Sequence, residues 1–190
     1  MGGDIGMSGA TLEAYLVSCI ATRDETARDL AAIIQRLATA ALDIRKLVGQ
    51  GALNAHLHGL RGGANTDGDM QKEMDVICDD LFLSSLQGAP VAFYASEELE
   101  HPVSLNPEAR LAVAIDPLDG SSNIDTNASV GTVFSILPAV PSADHDPMPT
   151  FLQPGTRQLA AGFFIYGPQT ALVLSLGKGT EIFVFSSRLG

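Results

Sequence analysis

The sequence predicts an α+β protein, a layered fold in which long helices pack on one large mixed sheet. Three observations carry this prediction. Helical periodicity fills the first part of the chain, and strand-like runs fill the rest with few helices between them. One of those runs, residues 111–115, is apolar at every position, as a strand buried on both faces must be.

The elements follow in order. Residues 1–10 are Gly-rich and are expected to form a disordered N-terminus; they lack the basic-then-apolar form of a signal peptide. Leu12, Tyr15, Leu16, Cys19 and Ile20 recur at helical spacing. Thr22-Arg23-Asp24-Glu25 has the form of a capping box. A long amphipathic helix follows it, with Leu30, Ile33, Ile34, Leu37, Ala41, Ile44 and Val48 on one stripe, ended by Gly49 and Gly51. Residues 50–68 carry five glycines and no sustained period, which predicts a long mobile loop able to act as a lid. A third helix is expected from Asp69 to about Leu86, with Met70, Met74, Ile77, Leu81 and Phe82 inward. Strands are expected over 90–95, 111–115, 131–137, 158–166, 170–176 and 180–185, with a Pro-rich loop over 138–154 and a hairpin turn at Gly177-Lys178-Gly179.

Composition narrows the class of partner. The 190 residues include 11 basic and 22 acidic side chains, a formal charge of −11 that repels phosphate backbones and argues against nucleic acid. No apolar run approaches the roughly 20 residues that span a bilayer. Two cysteines, Cys19 and Cys78, read as reduced thiols rather than a disulfide framework, and the expected location is cytoplasmic.

The acidic residues are unevenly spread. Between Asp67 and Asp125 lie 13 of the 22 carboxylates, against the two basic residues Lys72 and Arg110. Two apolar strands each end in a carboxylate pair, Glu97-Glu98 and Asp116-Pro117-Leu118-Asp119. Open sheets that mix helices and strands place ligand sites at strand C-terminal ends. Adjacent ends would bring these four carboxylates into one cleft. Hard oxygen donors without Cys or His suit Mg²⁺, with Mn²⁺ as an alternative, rather than Zn²⁺. A tight turn around Pro117 would aim Asp116 and Asp119 at one cluster, with the Leu118 carbonyl as a further ligand. Gly120-Ser121-Ser122-Asn123 then offers free N–H groups, a phosphate cradle beside the metal. Taken alone, that tetrapeptide is an ordinary turn; the combination suggests phosphoester hydrolysis.

These residues resemble a known family. Asp116-Pro117-Leu118-Asp119-Gly120-Ser121-Ser122-Asn123-Ile124-Asp125, followed by Val130-Gly131-Thr132-Val133-Phe134-Ser135-Ile136, is similar to the signature of class I fructose-1,6-bisphosphatase. Inositol monophosphatases share only the first five of these residues. Gly68-Asp69, Asp75, Ser96-Glu97-Glu98, Leu152-Gln153-Pro154-Gly155, Ala160-Ala161-Gly162 and Tyr166-Gly167 match as well. The resemblance implies the sugar phosphatase fold and places residues 11–190 as its N-terminal domain, with the C-terminal domain absent from this chain. It implies hydrolysis of the 1-phosphate of fructose 1,6-bisphosphate, in gluconeogenesis or the Calvin cycle, by a homotetramer. A sedoheptulose bisphosphatase, an inositol-phosphate phosphatase or an inactive metal-binding remnant are the alternatives.

The resemblance also implies roles. Glu97, Glu98, Asp116, the Leu118 carbonyl and Asp119 would hold Mg²⁺. Asp75 and Glu98 would position and deprotonate the attacking water, and Asp69, a further catalytic residue, would join the metal site when the loop closes. Asp119, Gly120, Ser121 and Ser122 would bind the phosphate. In the family's missing half lie a further ligand Glu and the Lys, Arg and Tyr residues that grip the sugar. The animal enzymes bind AMP at places that here read Ala27-Arg28-Asp29-Leu30 and Arg110-Leu111, so control of that kind is not expected. His56, His58, His101 and the Asn127-Ala128-Ser129 sequon carry no expected role.

Overall fold

The structure, a computed structural model, describes residues 10–20, 24–50, 67–124, 126–140 and 146–186; the side chains of 67–71 lie outside that description. Among the described residues three helices come first, α1 (Leu12–Ile20), α2 (Glu25–Gln50) and α3 (Asp67–Leu86). Seven strands follow: β1 (Val91–Ser96), β2 (Val103–Ser104), β3 (Leu111–Asp119), β4 (Val130–Pro138), β5 (Ala160–Tyr166), β6 (Thr170–Ser175) and β7 (Thr180–Val184). A short helix α4 (Met148–Phe151) and two 3₁₀ turns, Ser121–Asn123 and Gly155–Arg157, interrupt them.

The strands form one sheet in the order β2-β1-β3-β4-β5-β6-β7. Only the β1–β3 pair is parallel among these neighbours, with Ser96 opposite Ile115, so the sheet is mixed as expected. Sequential strands pair antiparallel from β3 onward, and short turns join β5 to β6 and β6 to β7.

The expected α2 stripe is the one that packs: Ile33, Ile34, Leu37, Ala41 and Ile44 are buried. They meet Val91, Tyr94, Leu111, Val113, Phe134, Ile136 and Phe164 in one core between the helices and one sheet face. On α3 the buried line runs through Cys78, Phe82 and Leu86, one position off the expected Ile77. The Thr22 of the expected capping box lies outside the described residues. The cap seen is Asp24, whose Oδ1 accepts the Thr26 N–H at 3.0 Å.

Residues 51–66 of the expected lid, with His56 and His58, also lie outside the description. Helix α3 begins at Asp67, so Gly68 and Asp69 belong to its first turn rather than to the loop. Strand β3 does not stop at Asp116. It continues to Asp119 through an irregularity, with Asp116 opposite Val133 and Asp119 opposite Gly131. Three steps on β3 match two on β4, which is a β-bulge. The tight turn expected around Pro117 is therefore a bulge inside a strand. Pro117 tolerates that place because a bulged residue gives no ladder hydrogen bond.

Among the described residues the second sheet face is covered only in part. Phe151 of α4 and Ala139 pack over Ala92, Phe93 and Ala112. Farther along, Val133, Phe163 and Ile182 are exposed. With Val173 they form a continuous row of paired positions across β4, β5, β6 and β7. An open groove of about 540 Å³ runs along this face and reaches Asp116.

Candidate functional site

Parallel pairing of β1 and β3 puts their C-terminal ends side by side. The Glu97 N–H donates to the Ile115 carbonyl at 3.1 Å, which extends the ladder by one residue. The Ser96 hydroxyl accepts the Glu98 N–H at 3.2 Å and turns the chain away from the sheet. Glu97 and Glu98 therefore leave β1 where Asp116 enters the bulge of β3. Helix α3 crosses behind them and brings Asp75, whose Oδ2 accepts the Ser121 hydroxyl at 3.2 Å.

The electrostatics record how close these acids are. Burial, then a hydrogen bond to Glu97 and its charge, push Asp116 up to about 6. The Leu118 N–H, 3.1 Å from Asp116 Oδ1, opposes that shift. Burial raises Asp75, the Ser121 hydroxyl lowers it, and the Glu97 charge raises it. Burial raises Glu98, and the charges of Asp75, Glu97 and Asp79 add to that. The charge of Glu97 thus acts on both Asp75 and Asp116.

Gly120 opens the turn that follows. Its φ of 78° is the left-handed region that glycine adopts without strain. Ser121–Asn123 is a single 3₁₀ turn, closed by the Asn123 N–H on the Gly120 carbonyl at 2.8 Å. The expected cradle is therefore one turn, not the start of an α-helix.

The structure brings Asp75, Glu97, Glu98, Asp116 and Ser121 together. Asp119 follows at the exposed end of β3, and its charge reaches Asp116. The Ser122 side chain is exposed. The Leu118 side chain is buried in the core. Asp69 lies in the first turn of α3, its side chain outside the description. Asp125 lies outside it as well.

Among the described residues no group of three or more Asp, Glu, His or Cys is set to hold a metal ion; Asp116 bonds Glu97, and Asp75 accepts from Ser121. The donor set nevertheless fits a hard divalent cation. Every donor is oxygen, and Asp75 Oδ1 is buried without a hydrogen-bond partner.

Two supporting pairs escape a reading of the sequence. Tyr94 of β1 donates to Asp79 Oδ1 of α3 at 2.6 Å, and both residues are buried. Thr132 of β4, also buried, donates to the Pro117 carbonyl at 2.8 Å and lies 2.7 Å from the Tyr166 hydroxyl. For Thr132 the signal available was a polar residue at the buried parity of an alternating strand.

Residues 10–190 match the family model described as Fructose-1-6-bisphosphatase, N-terminal domain. The chain is 74% identical over 184 residues to a class 1 fructose-1,6-bisphosphatase of Rhizobium meliloti (strain 1021), covering 97% of this chain and 53% of that protein. A class 1 fructose-1,6-bisphosphatase of Azorhizobium caulinodans is 52% identical over 180 residues, covering 94% and 55%. The fold resembles that of Leishmania major fructose-1,6-bisphosphatase in holo form, with TM-score 0.77, 26% identity and coverage of 95% and 55%. The chain spans about half the length of these curated relatives.

Proposed function

The chain belongs to the fructose-1,6-bisphosphatase family, and on that premise we propose that it hydrolyses the 1-phosphate of fructose 1,6-bisphosphate to fructose 6-phosphate and phosphate. The observation that carries the proposal is the convergence of Asp75, Glu97, Glu98 and Asp116 beside Ser121, at two parallel strand ends. The family implies a divalent metal, and oxygen-only donors favour Mg²⁺, with Mn²⁺ as an alternative. Glu97, Glu98, Asp116, Asp119 and the Leu118 carbonyl would hold it. Bound there, a divalent cation supplies positive charge to the phosphate oxygens and lowers the pKa of water.

The chain's own groups do the rest. Asp75, raised by burial, is the base that takes a proton from the attacking water, and Glu98 helps to orient that water. Ser121, tied to Asp75, together with Ser122 and the turn opened by Gly120, receives the phosphate. Asp119 stands beside that turn, and Asp69, which lies in the first turn of α3, would join the metal site. As the new P–O bond forms, the bond to the C1 oxygen breaks and that oxygen takes up a proton. We further propose that residues 11–190 form one N-terminal domain of a soluble, cytoplasmic homo-oligomer acting in gluconeogenesis or the Calvin cycle. The apolar row of Val133, Phe163 and Ile182, exposed among the described residues, supports association, and among those residues no helix is long and apolar enough to cross a membrane.

Phosphate release from fructose 1,6-bisphosphate, with Mg²⁺ present, tests the activity. The expected result is turnover that exceeds turnover of sedoheptulose 1,7-bisphosphate and inositol monophosphate and is lost in Asp75→Asn. Equal or greater release from either competitor overturns the substrate assignment.

A further inference from the structure

The bulge that separates Asp116 from Asp119 has two residues, Pro117 and Leu118, facing a single residue of β4. That residue is Thr132, which lies between Gly131 and Val133, the partners of Asp119 and Asp116. Pro117 has no N–H, and its carbonyl points to a side chain rather than to the ladder. Thr132 Oγ1 donates to it at 2.8 Å. A threonine hydroxyl carries one hydrogen, and a carbonyl can only accept. The 2.7 Å contact to Tyr166 is therefore a bond in which the Tyr166 hydroxyl donates to Thr132. The chain runs Tyr166 to Thr132 to Pro117, and all of it is dry: Thr132 is 0% and Tyr166 4% exposed.

We infer that Thr132 and Tyr166 are positioning residues that hold the Asp116–Asp119 bulge in the shape that presents its carboxylates. The proposal rests on the metal-site reading above but adds residues that touch no ligand. A bulge leaves its extra residue unpaired, so the ladder does not fix the backbone there. The Thr132 hydroxyl supplies the missing tie, at the carbonyl between the two acids. Tyr166 fixes which way that hydroxyl points, because its donated hydrogen occupies a lone pair and leaves the Thr132 hydrogen for Pro117. The tie crosses from β5 through β4 to β3, which are neighbours in the sheet. The bulge is thus braced by strands that carry none of the acids.

The test compares wild type with Thr132→Val, Thr132→Ser and Tyr166→Phe at one temperature where each is folded. Two readouts are used: Mn²⁺ affinity by titration, and amide exchange at Leu118, whose N–H bonds Asp116. Thr132→Val, which keeps the shape and loses the hydroxyl with both its bonds, is expected to weaken Mn²⁺ binding about tenfold, the size of the lost tie to the Pro117 carbonyl. Exchange at Leu118 should quicken with it. Thr132→Ser should restore both, and Tyr166→Phe should move both in the same direction by a smaller factor. A general loss of packing would not be rescued by serine, so equal effects of valine and serine overturn the proposal. Wild-type affinity and exchange in Thr132→Val overturn it too, and if that variant does not fold, the same result in Tyr166→Phe does so. If wild type takes up no Mn²⁺, the metal reading fails; exchange at Leu118 then decides the brace alone, supporting it if serine rescues and overturning it if not.

Discussion

At Asp116 burial and the neighbouring Glu97 push the carboxyl from 3.8 up to about 6, and this has a thermodynamic consequence. The folded protein holds the proton more tightly than the unfolded chain does. The contribution to stability is complete below pH 3.8 and is lost as pH rises through about 6. Asp75 and Glu98, also raised, act with the same sign. In buffer free of divalent cations the melting temperature should therefore fall between about pH 4 and pH 7. Asp116→Asn, which cannot ionise, should flatten part of that fall and melt higher than wild type at pH 7. Thermal melts across that range check this; an unchanged slope in the variant would contradict the proximity of Glu97 and Asp116. The acids were legible in the sequence because each pair sits where an apolar run stops. Thr132 was not: which carbonyl a hydroxyl meets depends on strand register, and register is set by pairing across many residues rather than by local spelling.

Among the elements, β3 and β4 decide the shape of the site. Their boundaries were read nearly correctly at the apolar ends, because continuous apolar runs mark buried strands. The bulge was read as a turn because Asp-Pro-x-Asp-Gly uses turn residues throughout, and only pairing with β4 reveals that the strand continues. The two-residue β2 carries too little pattern to be seen, and α4 hid within the Pro-rich stretch. Close strand packing beside the bulge leaves a test. A Cβ on Gly131 would lie 2.6 Å from the Phe164 carbonyl oxygen of β5, so β4 and β5 would have to move apart. Gly131→Ala should destabilise the fold by about 1–3 kcal/mol, as overpacking does. A denaturant midpoint within the error of wild type would show that the sheet yields there without cost.

Across the whole molecule, the order of helices before strands was enough to predict one layer of helices on a mixed sheet, since each amphipathic stripe needs an apolar face to cover. The second face could not be read in the same way. Strand alternation says that β4 to β7 have two faces but not what lies against each. The same architecture makes the carboxylate cluster cohere: α3 crosses the ends of a parallel pair and brings Asp75 to acids more than 20 positions away in sequence. Like charges so arranged oppose folding unless a cation joins them. The most direct measurement is the melting temperature of wild type and of Asp119→Asn across a Mg²⁺ titration. Wild type should gain stability with concentration, by about 2.7 kcal/mol at a hundredfold excess over the dissociation constant, and the variant should lose most of that gain. The same rise in both, or no rise in wild type, would contradict a metal site at the ends of β1 and β3.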